Sequence, residues 1–125
     1  MKINIGYLEG TDPLILSRCA ALGINTIPLS NGWDNHGKYI GLLSKTDNVS
    51  LVIAYLHKLI APPEMETKPG DFLNACKIHR IPVLVICHEK MIAQAKKKLS
   101  GVKAKLYWVT PATFFDTVMK ILKMK

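Results

Sequence analysis

Two stretches of unbroken apolar sequence limit what this chain can fold into. They are "NVSLVIAYL" at 48–56 and "IPVLVIC" at 81–87. A strand with one wet face alternates apolar and polar residues, whereas a strand covered on both faces is apolar at consecutive positions. Strands of the second kind belong to parallel sheets held between two layers of helices.

The rest of the chain agrees with that reading. "KINIGYL" (2–8), "INTIPL" (24–29) and "KLYWV" (105–109) supply three more strands, and Pro28 marks the second as an edge strand. Helical segments separate them. The first has Thr11 or Asp12 as its N-cap, Pro13 in the first turn, apolar Leu14, Leu16, Cys19, Ala20 and Leu22, and a stop at Gly23. "SNGWDNHGKYIGLLSK" (30–45) reads as a polar loop running into a short helix, and 57–70 as a long loop with three prolines. Further helices are expected from about Asp71 to His79, over 91–99 up to Gly101, and after Thr110 with Phe114, Val118, Ile121 and Leu122 facing inward. Strands alternating with helices predict one α/β domain over residues 1–125: a three-layer α/β/α sandwich on a five-stranded parallel sheet, in the flavodoxin-like (Rossmann-like) order 2-1-3-4-5.

Composition narrows the class further. The chain is 49% hydrophobic and 21% charged, ordinary for a globular protein. No apolar run nears the ~20 residues that span a bilayer, and the start "MKINIGYLEG" reads as a strand rather than a leader, so a cytoplasmic protein without membrane contact is expected. Cys19, Cys76 and Cys87 stand far apart, as reduced buried thiols do, and no metal-site spacing or cofactor signature is present. The formal net charge of +8 favours anionic partners. Much of the excess lies in Lys96, Lys97, Lys98, Lys103, Lys105, Lys120, Lys123 and Lys125, which read as solvated faces beside two helices. The lack of interleaved aromatic residues favours that reading over a nucleic-acid surface, and nucleic-acid binding through the lysine-rich 96–105 face stays a third reading, one that predicts a steep salt dependence.

In an open parallel sheet, ligands bind beyond the carboxyl ends of the strands, where the strand order reverses. The ligand-binding candidates there are Glu9, Gly10 and Thr11 after the first strand, Asn31 and Trp33 after the second, His57 after the third, and His88 with Glu89 after the fourth. Ser30, Asp34, Lys58 and Thr110 share that edge. His57 and His88 are expected side by side, because their strands are neighbours in this order. The expected occupant is a small anionic or nucleotide-like ligand, or a protein partner. Each residue also has a plain alternative, since every strand must end in something polar. Several motifs are missing: G-x-G-x-x-G, the P-loop, the Gly-x-Ser-x-Gly elbow, and a receiver aspartate where Leu56-His57 stands. Cys87 and His88 are sequence neighbours on a strand and so point to opposite faces, which argues against a nucleophilic pair. His57, His88 and Glu89 have no diagnostic metal-ligand spacing.

"KINIGYLEG", the following helix, "ALGINTIPLSNGW", "NVSLVIAYL" and "GDFLNACKIHRIPVLVI" together resemble nucleoside 2-deoxyribosyltransferases, and Toll/interleukin-1 receptor-like domains share a related layout. The resemblance covers most of the chain loosely. It implies cleavage or transfer of an N-glycosidic bond by a carboxylate that attacks the anomeric carbon, with Tyr7 or His57 holding base or sugar. The family's nucleophilic glutamate falls at Asp71 or Phe72, so this chain departs from the pattern there. The catalytic candidates are therefore Asp71 and, in the preceding loop, Glu64 and Glu66, with Asp71 also placed to cap a helix. A domain this small often completes its site across a homodimer, and Trp33 and the loop with Met65 are candidate contact surfaces.

Overall fold

A computed structural model describes residues 3–34, 37–60, 62 and 68–123. The strands are β1 (Asn4–Tyr7), β2 (Asn25–Ser30), β3 (Lys38–Tyr39), β4 (Leu51–Tyr55), β5 (Val83–Ile86) and β6 (Leu106–Val109). All pair in parallel in one sheet ordered β3-β2-β1-β4-β5-β6. The helices are α1 (Pro13–Ala21), α2 (Pro69–Phe72), α3 (Asn74–Ile78), α4 (Ile92–Lys98) and α5 (Phe114–Lys123).

The unbroken apolar runs behave as their composition demands. Along β4, Leu51 and Ile53 pack on one side of the sheet while Val52 and Ala54 pack on the other; along β5, Leu84 and Ile86 oppose Val83 and Val85. One core is closed by Cys19 of α1 and by Phe114, Val118 and Ile121 of α5. The other is closed by Phe72, Leu73, Ala75, Cys76 and Leu99, with Ile40 and Leu43 from the segment after β3. No described helix is long and apolar enough to cross a membrane.

Three expectations need correction. The sheet has six strands, not five. The additional strand, β3, lies inside the segment expected to be loop and short helix, and two 3-10 turns (Ile40–Leu42 and Lys45–Asp47) follow it. β3 escapes detection because it is two residues long and both are exposed. Gly37 permits it: its φ is +82, and a Cβ there would collide with the carbonyl oxygen of Pro28. β2 is consequently not an edge strand. Its pairing with β3 involves only Leu29 and Ser30, beyond Pro28, so an interior strand tolerates the proline. Third, the helix expected over 71–79 is two short helices that meet at Leu73.

Candidate functional site

β1 lies between β2 and β4, and the chain leaves it towards β2, so the strand order reverses at its carboxyl end. Gly10 turns the backbone there with φ +88, a conformation that suits glycine. The buried Thr11 hydroxyl donates to the Leu8 carbonyl at 2.8 Å, and Asp12 caps α1 by accepting from the Leu14 N–H at 2.9 Å. Thr11 thus serves the turn. Glu9 and Gly10 are exposed.

Asn31 is the bracket of this edge. Its buried side chain accepts from the N–H groups of Trp33 and Asp34 at 3.2 and 3.0 Å, and donates to Asp34 Oδ2 at 3.1 Å and the Lys58 carbonyl at 3.0 Å. One amide therefore ties the turn after β2 to the turn after β4. Lys58 strengthens the tie, with Nζ 2.9 Å from Asp34 Oδ2 and 3.7 Å from Glu9 Oε1. The hydrogen bond to Asp34 is the main cause holding the Lys58 pKa above its usual value, with the charges of Asp34 and Glu9 adding to it. Trp33 packs edge-on against Phe72, ring centroids 5.5 Å apart, covering the core. Asn31 and Trp33 are thereby accounted for as structural parts of the edge.

His57 and His88 lie on the other side of this bracket, and they line one open cavity of about 300 Å³. Tyr55, Leu56, Ile86, Cys87, Met91 and Pro111 complete its walls. The Tyr55 ring stands edge-on to His57, centroids 6.1 Å apart. A Cβ built on Gly10 would come within 3.9 Å of His57 Nε2 and 3.4 Å of Lys58 Cε, so the first strand's turn abuts this histidine. His88 accepts the Lys90 N–H through Nδ1 at 3.3 Å at the start of a 3-10 turn that contains Glu89. Burial pushes the Cys87 thiol pKa up, opposite to what a thiolate nucleophile requires.

Asp71 is placed elsewhere. Its carboxylate accepts the Lys68 N–H at 3.1 Å in the first turn of α2, and it lines a separate cavity with Lys98, Gly101 and Val102. Glu64, Glu66 and Met65 lie outside the described residues. Among the described residues, no three His, Cys, Asp or Glu side chains gather where they could hold a metal ion.

No protein-family model matches this chain, and neither a curated protein nor a solved structure does. The site is therefore read from its own geometry. Tyr55 and Met91 are the participants that the sequence does not single out, whereas Asp34 and Lys58 are expected at this edge without a role. Asp34 and Lys58 stand just past the ends of the two strands that flank the reversal point, and the ion pair between them is what the sequence does not reveal.

Proposed function

We propose that this domain binds a small nucleotide-like ligand at the carboxyl edge of its sheet, in the cavity shared by His57 and His88. The observation that supports this reading is the convergence of two imidazoles from adjacent strands on one recess with an aromatic and otherwise apolar wall. Ligand pockets are typically apolar with a few polar groups that fix orientation. The Tyr55 ring, Met91 and Pro111 offer surface to a planar base, and the imidazoles offer hydrogen bonds to base or sugar. Lys58 contributes little net charge, since Asp34 and Glu9 already surround it. Recognition therefore rests on shape and hydrogen bonding. Binding is favoured over N-glycosidic transfer because the one described carboxylate among the catalytic candidates, Asp71, caps α2 and lines a different cavity.

The test is thermal unfolding with adenosine, uridine, AMP, UMP and ribose 5-phosphate, repeated in His57→Ala and His88→Ala. A ligand at about a hundred times its Kd adds about 2.7 kcal/mol, several degrees in Tm for a domain of this size. At least one nucleoside or nucleotide is expected to raise Tm in the parent protein and to lose most of that rise in both variants. A flat panel, or a rise unchanged by both substitutions, overturns the reading.

A further inference from the structure

The opposite edge of the sheet holds a cavity of about 470 Å³, larger than the one at the carboxyl edge. Four cationic side chains line it: Lys77 from the last turn of α3, Arg80 from the turn between α3 and β5, and Lys103 and Lys105 from the segment before β6. No acidic residue is among the lining, and among the described residues none of the four forms an ion pair. The floor is apolar, with Ile121 buried, and the Tyr107 ring stands 5.3 Å from the Lys105 ammonium. Like charges gathered around one recess repel one another, and a bound anion relieves that repulsion.

The backbone gives a second, independent observation. Arg80 has φ +54, and Ile81 N–H closes the end of α3 onto the Cys76 carbonyl at 2.8 Å. The residue in that left-handed position after a helix is most often glycine, because a side chain there is strained. Here the position carries an arginine, which lines the cavity together with Lys103 and Lys105. Helix-end electrostatics account for Lys77, which lies in the last turn of α3, but not for Lys103 or Lys105, which precede a strand.

We propose that this cavity is a second binding site, for a multiply charged phosphate compound with an aromatic body, the class of a nucleoside polyphosphate. The cations take the phosphates, Arg80 in the bidentate manner that guanidinium allows, and the apolar floor with Tyr107 takes the base. This site does not depend on the carboxyl-edge reading, because Arg80 and His88 stand beyond opposite ends of β5.

Calorimetric titration with ATP, inorganic triphosphate and a single-stranded oligonucleotide, at low and at physiological salt, tests it. ATP is expected to bind at least tenfold more tightly than triphosphate, more weakly as salt rises, and at least tenfold more weakly in Arg80→Gly and Lys105→Gln. Arg80→Gly relieves the left-handed strain, so its Tm is expected to equal or exceed the parent's, which separates lost binding from lost folding. His88→Ala is expected to leave this affinity unchanged. Absence of ATP binding, binding indifferent to both substitutions, or an oligonucleotide that outcompetes ATP with affinity growing with its length overturns the proposal.

Discussion

Lys58 reaches past the end of β1 to place its ammonium 2.9 Å from Asp34 Oδ2, joining the turn after β4 to the turn after β2. Both side chains are largely shielded, at 17% and 19% exposure, whereas Glu9, the weaker partner at 3.7 Å, is 46% exposed.

That difference sets an expected order of effects. Removing the ammonium in Lys58→Met costs a charge-assisted hydrogen bond in a shielded place, about 1–2 kcal/mol. Glu9→Gln alters an exposed, longer pair and is expected to stay within about 0.5 kcal/mol. Urea unfolding of the two variants measures this, and equal losses would show that the Asp34 bond has no special weight.

Asp71 yields the second prediction. Its carboxylate satisfies a backbone donor in the first turn of α2, so Asp71→Ala is expected to lower stability by about 0.5–1 kcal/mol. Nucleoside affinity at the His57 and His88 cavity should be unaffected. If the protein cleaves N-glycosidic bonds and Asp71→Ala abolishes that activity while the fold persists, Asp71 is catalytic after all.

The third concerns alkaline pH. Burial pushes the Cys76 thiol from 9.0 up to about 12, so the folded chain keeps a proton that the unfolded chain releases above pH 9. With fewer protons bound in the unfolded state, stability falls as pH rises between those values, by about 1.4 kcal/mol per unit from this thiol. Lys58 acts in the same sense: its folded pKa is raised above 10.5, and its stabilising contribution is lost as pH passes the folded value. Urea midpoints between pH 8 and pH 11 should therefore decline, and Cys76→Ala should decline less steeply from its own starting point. Parallel slopes would remove Cys76 from the account.

How much of this was legible beforehand depends on what each feature is made of. β4 and β5 announce themselves because burial on both faces leaves no room for polar residues, and that constraint is written along the chain. β3 is held by backbone pairing at two exposed residues and by a glycine's fit against Pro28, neither of which leaves a hydrophobic pattern. The carboxyl-edge residues could be named from strand ends alone, but their division into bracket and cavity could not. Asn31 and Lys58 differ from His57 only in where their hydrogen bonds go, which is a tertiary fact. The cationic recess leaves no local pattern, because its basic residues come from two separate segments of the chain. Arg80 and Lys105 come together because they lie just before two paired strands.

The short length of β3 has a consequence for how copies of this chain meet. An open strand edge exposes unpaired amides and carbonyls on which another molecule can add a strand, the first step towards aggregation. On the β2 side the sheet ends after two residues, Lys38 and Tyr39, one of them held to Asp47 by an ion pair at 2.8 Å. At β3 itself, so brief a border with a paired charge offers a foreign strand little to add to. Residues 25–28 of β2, which β3 does not cover, are where a second molecule would have to pair on that flank, and Pro28 removes one donor from them.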